Sequence, residues 1–204
     1  MEKFTVLRSR AVPWLMPNVD TDTITPMKRI LLNMEELGKY SFEPYRYVGG
    51  DGDRGELNME FPLNMHCFQN AGIMITGENF GCGSSRETAP EAIRRIGIRC
   101  LVGSSFGGIF QKNCYQQGIL PITLTKDEVE WLAELAKSLE EFTVDLPSRT
   151  LYAPDGGRYL FTLPEIRYRS LSEGLDDVGM TLEKLNSILQ YFKQDSVKRR
   201  WLYN

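Results

Sequence analysis

From residue 72 onward, short runs of consecutive apolar residues alternate with segments of helical period. Residues 72–76 (GIMIT), 98–102 and 119–124 are apolar almost throughout, the pattern of strands buried on both faces. A helix ending at Ile96 before Gly97, and a shorter one that Gly118 closes, separate them. Strands and helices in that order predict a parallel sheet with helices packed on it, and residues 4–12 read as one more strand. Thr125-x-x-Glu128 is a capping box that opens a helix over 125–140. The period then changes to two. Residues 142–146, 151–153 and 158–163 read as antiparallel strands with Asp155-Gly156-Gly157 as a hairpin turn, expected to pack as a second layer. Helices follow over 166–173, stopped by Gly174, and over 181–193. Trp201, Leu202 and Tyr203 at the end either dock on a partner or fray. The fold class is α/β.

Between the first strand and residue 72 the pattern is irregular. Residues 27–37 have helical spacing up to Gly38, residues 40–47 carry four aromatics and should be packed, and GGDGDRG over 49–55 reads as a flexible surface loop. An excursion as long as 27–55 is either a lid or specificity loop, or a tolerated insertion.

Composition narrows the function classes. A chain of 204 residues can bury a sizeable core. Its net charge of −3 gives nucleic acid no electrostatic footing. No apolar run reaches the roughly 18–20 residues that span a membrane. The amino terminus, MEKFTVLRSR, breaks into charges at once, so the expected location is cytoplasmic. The four cysteines are Cys67, Cys82, Cys100 and Cys114, without a C-x-x-C pair, and His66 is the one histidine. No metal site of the chain's own is expected. Cys100 reads as core, and Cys82 as a small space-filler rather than a nucleophile.

Chemistry concentrates in TGENFGCGSSRETAPE, residues 76–91. Gly77, Gly81 and Gly83 permit close backbone approach and positive φ just before Ser84, Ser85 and Arg86. A helix starts directly after. Its free N–H groups and dipole favour an anion, and the Arg86 guanidinium offers a planar fork that matches a carboxylate. Pro90 decides the helix start. With Ser84 as N-cap it would break the helix interior at a cost of about 3 kcal/mol, so Thr88 is the expected N-cap, with Ser84 to Arg86 as the turn ahead of it. Neither a Walker loop nor a dinucleotide fingerprint fits, because Ser-Ser-Arg follows the last glycine. The spacing equally suits an ordinary strand–loop–helix connection with two capping serines. A second Gly-Ser loop, SSFGG at 104–108, belongs at the same sheet edge, where parallel sheets bind ligands. In PNVDTDTITP, residues 17–26, Asp20 and Asp22 are either turn residues or carboxylates that position a cation or hydroxyl.

NVDTDTITP, ENFGCGSSRE, SSFGGIFQKNCYQQGILPI and SLSEGLDDVGMTLEKL together, in order and spacing, resemble the small subunit of isopropylmalate dehydratase, the separate-chain form of the aconitase swivel domain. That resemblance implies a swivelling, three-layer β/β/α domain with parallel core strands and an added antiparallel hairpin layer. Residues 1–204 would form a single domain, with a flexible specificity loop within 27–55 and a C-terminal helical segment at 165–204. It also implies a hydro-lyase of leucine biosynthesis, active only with a large subunit that carries a [4Fe–4S] cluster; this chain would bind no cofactor itself. The substrate would be a hydroxy dicarboxylate.

By the same resemblance Ser84 is the catalytic base, Ser85 a supporting donor and Arg86 the carboxylate clamp. Asp22 helps position these groups, and Ile30 and Leu31 in the loop after Pro26 receive the isopropyl group. Lowering a serine pKa by about five units requires about 7 kcal/mol. A helix terminus supplies about 0.3–2 kcal/mol of that and an exposed Arg a modest share. The remainder must come from a closed, water-poor site beside a Lewis acid on the partner. Four positions depart from the family pattern. Thr88 stands where a His is frequent, Thr25 makes the loop more polar, and Lys28 and Arg29 add cations to it. They leave room for a citramalate- or dimethylmaleate-like substrate. A non-catalytic carboxylate-binding protein is the reading from another class.

Overall fold

The computed structural model describes residues 1–203; the last residue of the C-terminal segment, Asn204, lies outside the described residues. Strand β1 (Val6–Trp14) serves two partners. Its first half, from Val6 to Arg10, pairs antiparallel with β5 (Glu141–Asp145), and its second half, from Ala11 to Trp14, pairs parallel with β2 (Ile73–Thr76). Beyond β2 lie β3 (Cys100–Gly103) and β4 (Leu120–Thr123), both parallel; beyond β5 lie β6 (Thr150–Tyr152) and β7 (Arg158–Leu160), both antiparallel. The order is β4-β3-β2-β1-β5-β6-β7. The hairpin strands are therefore continuous with the parallel ones through β1. They also share one core with them: Ile73, Ile75, Val102 and Ile122 pack with Phe142, Val144, Leu151 and Phe161.

Side-chain alternation assigns the two faces. Ile73 and Ile75 look to the core shared with the hairpins, and Met74 between them looks to the other. The first face is covered by α6 (Lys126–Ala136) through Val129, Leu132, Ala133 and Ala136. Its Thr125–Glu128 capping box forms, but the helix ends at Ala136 and the chain turns at Leu139, which takes φ 64°. The second face carries α4 (Thr88–Arg95) and α5 (Gly108–Gln116). Gly97 and Gly118 follow these helices with φ of 95° and 72°, and Gly174 closes α7 (Glu165–Glu173) likewise. The final helix of the sequence reading is two, α8 (Asp177–Leu182) and α9 (Leu185–Lys198).

The excursion folds onto the second face as α1 (Thr21–Ile24), α2 (Met27–Leu32), α3 (Glu43–Arg46) and single helical turns. Trp14 meets the edges of Phe42, Tyr45 and Phe61 with ring centroids 5.1–5.3 Å apart. One expectation is corrected here. Arg29 is no loop cation: it is buried, gives Nε to Glu43 Oε2 at 2.7 Å and Nη2 to Glu43 Oε1, gives Nη1 to Asp53 at 2.7 Å, and stacks on Tyr40. The 49–55 segment lies at the surface as expected, with Gly49 and Asp53 to Gly55 exposed, but it is anchored at its centre. Gly52 is buried, its N–H donates to Glu43 Oε1 at 2.9 Å, and Asp53 also holds Lys28. A guanidinium removed from water needs such carboxylates around it.

Candidate active site

Three loops meet where β1, β2 and β3 end. Gly81 N–H donates to Val19 O at 2.7 Å and Thr21 N–H to Cys82 O at 3.0 Å, joining the glycine loop to the Asp-Thr segment. On its other side Phe80 N–H donates to Ser105 O at 3.2 Å and Gly107 N–H to Phe80 O at 2.9 Å. The order β1-β2-β3 thus continues past the strands as a backbone weave. Gly81 takes φ 72°, and a Cβ there would lie 2.2 Å from the Phe110 ring. At Gly107 a Cβ would lie 2.3 Å from Gly81 O. The glycines are required by this close approach, as the loop's composition predicted.

A cavity of about 240 Å³ opens between the two Gly-Ser loops, lined by Cys82, Gly83, Ser84, Gly108, Ile109 and Phe110 among others. A cavity of similar size, about 250 Å³, lies beyond Thr76 and Glu78 against α6, but Ser84 does not reach it. Ser84 and Ser85 are exposed. The Ser84 carbonyl accepts from Thr21 Oγ1 at 3.1 Å and from Arg86 N–H at 2.9 Å, which forms the tight turn ahead of α4.

Arg86 is held from one end. Its Nη1 donates to Asp22 Oδ1 and to Thr25 O at 3.1 Å, and its side chain is only 13% exposed. Its Nε is buried and has no partner among the described residues. The Nε–Nη2 edge, the one that pairs side-on with a carboxylate, is therefore unpaired among the described residues, with Nε sealed from water. The two aspartates divide between the two readings. Asp20 caps α1, accepting from Thr23 N–H at 2.7 Å, while Asp22 reaches Arg86.

The start of α4 differs from expectation. Glu87 already has helical angles (φ −67°, ψ −26°) and occupies the cap, with no side-chain cap bond; Thr88 is the first helical residue. From there its hydroxyl cannot reach forward to a free N–H, and Thr88 Oγ1 is buried without a partner among the described residues. Pro90 still falls in the first turn. Thr25 does not make the loop polar, because it is buried and its hydroxyl donates to Thr88 O at 3.4 Å. Ile30 and Leu31 lie on α2, outside the cavity lining; Ile30 is half-buried and Leu31 is 75% exposed. Ile109 escaped the sequence reading, as did the hydrogen bonds of Thr21 with Ser84 and of Thr25 with Arg86. The alternating threonines around Asp20 and Asp22 were the available signal for the last two.

Residues 1–127 match the family of the aconitase C-terminal domain. Over 205 residues the chain is 42% identical to the 3-isopropylmalate dehydratase small subunit of Xanthobacter autotrophicus, covering 99% of this chain and 100% of that one. It is 44% identical to the subunit of the same name from Dinoroseobacter shibae, covering 99% and 100%. The chain belongs to the 3-isopropylmalate dehydratase small-subunit family. A crystal structure of 3-isopropylmalate dehydratase from Methanocaldococcus jannaschii has the same fold, with a TM-score of 0.65 at 24% identity, covering 91% of this chain and 99% of that one. The match to the aconitase C-terminal domain takes in every strand and loop of the candidate site. Strands β5 to β7 and the C-terminal helices lie outside it, but within the full-length small-subunit relatives.

Proposed function

We propose that this chain is the small subunit of a hydro-lyase that interconverts 2-isopropylmalate and 3-isopropylmalate by removing and re-adding water, a step of leucine biosynthesis. The observation that carries the reading is the half-paired Arg86. Asp22 and the Thr25 carbonyl occupy one end of its guanidinium and leave the carboxylate-pairing edge unpaired, two positions along the chain from the exposed Ser84. A substrate carboxylate seated there brings its neighbouring carbon toward Ser84. Ser84 Oγ takes the proton from that carbon in one direction and returns it in the other. Ser85 donates to the same carboxylate or to Ser84, and Asp22 keeps Arg86 in register.

This chain cannot make Ser84 basic by itself. Both serines are open to water, where a nearby cation and a helix terminus stabilise an alkoxide by about 2 kcal/mol at most. Covering by the large subunit would exclude that water. Met27, Leu31, Leu32 and Met34, all exposed on and beside α2, offer an apolar rim for the substrate's isopropyl group and for that subunit. A [4Fe–4S] cluster on the partner would supply a Lewis acid for the departing hydroxyl. Its ligands do not fit on this chain: Cys100 and Cys114 are buried in the core, and among the described residues no three His, Cys, Asp or Glu side chains converge. We therefore assign it to the partner. No helix among the described residues is long and apolar enough to cross a membrane, and we place the complex in the cytoplasm.

The test is reconstitution with the large subunit. The pair is expected to turn over 2-isopropylmalate and to outpace citramalate and dimethylmalate, and the isolated chain to be inactive. Ser84→Ala should lower kcat by about 10²–10⁴-fold while the two subunits still assemble. Activity retained in that variant, or turnover by the isolated chain, would falsify the assignment.

A further inference from the structure

One short helix fastens the turn that carries Ser84. Along α1 and its C-cap, Thr21 N–H donates to Cys82 O at 3.0 Å and Thr21 Oγ1 to Ser84 O at 3.1 Å. Asp22 and the Thr25 carbonyl accept from Arg86 Nη1, and Thr25 Oγ1 donates to Thr88 O at 3.4 Å. The contacts run in register, residues 21 to 25 against residues 82 to 88. They also divide by task. Asp22 and Thr25 hold the carboxylate clamp, while Thr21 holds the backbone of Ser84.

Thr21 brackets Gly83: its N–H binds the carbonyl before that glycine and its hydroxyl the carbonyl after it. Gly83 takes φ 90°, and a Cβ there would lie 3.5 Å from Asp20 Cβ and 3.8 Å from Thr21 Oγ1. Glycine has the widest backbone freedom of any residue, so the loop has a joint directly before Ser84. Ser84 is exposed, and its hydroxyl is aimed by the backbone beneath it rather than by packing. Thr21 is 1% exposed, so water does not compete for its hydroxyl. The Ser84 carbonyl also accepts from Arg86 N–H at 2.9 Å. Without the Thr21 donor the turn would keep that bond and lose its side-chain tether to α1.

We propose that Thr21 is a positioning residue: by holding the carbonyls on both sides of Gly83 it fixes the direction of the Ser84 hydroxyl, and it acts on proton transfer rather than on substrate binding. The inference rests on the reading of Ser84 as the base. Arg86 keeps its Asp22 and Thr25 contacts when Thr21 changes, so the carboxylate clamp is untouched.

Thr21→Val, which removes the hydroxyl and keeps the branched shape, is measured in the complex reconstituted with the large subunit. A misplacement of about 1 Å at a reacting atom costs up to about 100-fold, so kcat should fall about 10–100-fold with KM unchanged within about twofold. Thr21→Ser restores the donor and should return kcat to within about threefold of wild type. Added to Ser84→Ala, Thr21→Val should lower the residual rate no further, because it acts through Ser84. Should Thr21→Val fail to fold, Thr21→Ala removes the same donor without adding a methyl and is held to the same split. Wild-type kcat, a rise in KM that matches the fall in kcat, no rescue by serine, or an additional loss in the double variant would each overturn the proposal. If Ser84→Ala by itself keeps wild-type kcat, the reading of Ser84 as base falls and Thr21 with it; if Ser84→Ala is inactive while Thr21→Val is not impaired, only the role of Thr21 falls.

Discussion

Asp22 holds Arg86 by one nitrogen across 64 positions of sequence and leaves the opposite edge of the guanidinium unpaired. The ion pair is a positioning device. Asp22 is 59% exposed, so the contact itself adds little stability. Asp22→Asn should leave the melting temperature unchanged and raise KM in the reconstituted enzyme by up to about tenfold. Arg86→Lys, which removes two parallel donors, should cost about 1.5–3 kcal/mol of substrate and transition-state binding, read as kcat/KM. Equal effects of both on stability rather than kinetics would make the pair structural.

Leu31 is exposed on α2, just past the segment tied to Arg86. Leu31→Asn should shift the stability of the isolated chain by less than about 0.5 kcal/mol. In the complex it should raise KM for 2-isopropylmalate several-fold and affect citramalate less, because a lost methyl contact is worth about 1–3 kcal/mol only to the bulkier substrate. Parallel losses on both substrates would assign Leu31 to subunit docking.

The Arg29–Glu43–Asp53 clamp governs the acid side of stability. Burial raises the Glu43 pKa, but the Arg29 hydrogen bond and the Gly52 N–H outweigh it and hold the carboxyl below its usual range. Arg29, then Lys28, hold Asp53 down to about 2. Folded values below unfolded ones mean stability that is fully present above about pH 4 and is lost as pH falls toward about 2. Glu43→Gln strands a buried guanidinium and should destabilise by about 3–5 kcal/mol in urea melts at neutral pH. Asp53→Asn should be less stable than wild type at pH 7 and match it near pH 2; a constant offset across that range would refute the linkage.

Gly81 has two reasons to remain glycine, a φ of 72° and the Phe110 ring 2.2 Å from any Cβ. Gly81→Ala should destabilise by at least about 2 kcal/mol and displace the loop that carries Ser84. Gly108, where a Cβ meets nothing within 4 Å, is the control and should accept Ala with little change.

Local order was legible in the chain itself. The apolar runs that became β2, β3 and β4, the glycines that stop α4, α5 and α7, the capping box of α6, and the turn at Ser84 to Arg86 all depend on neighbours within one or two helical turns, and periodicity records those. The three-dimensional packing decided the rest. It split β1 between two partners, because pairing is set by which edges meet and not by the strand's own residues. It also gave three arginines of one chemical type three fates. Arg29 found Glu43 and Asp53, 14 and 24 positions away, and became a buried clamp. Arg86 found Asp22 and kept one edge unpaired, while Arg46 found carbonyl and hydroxyl oxygens but no carboxylate. The role of a guanidinium follows from the anions that folding brings beside it, and local sequence does not record partners so far along the chain.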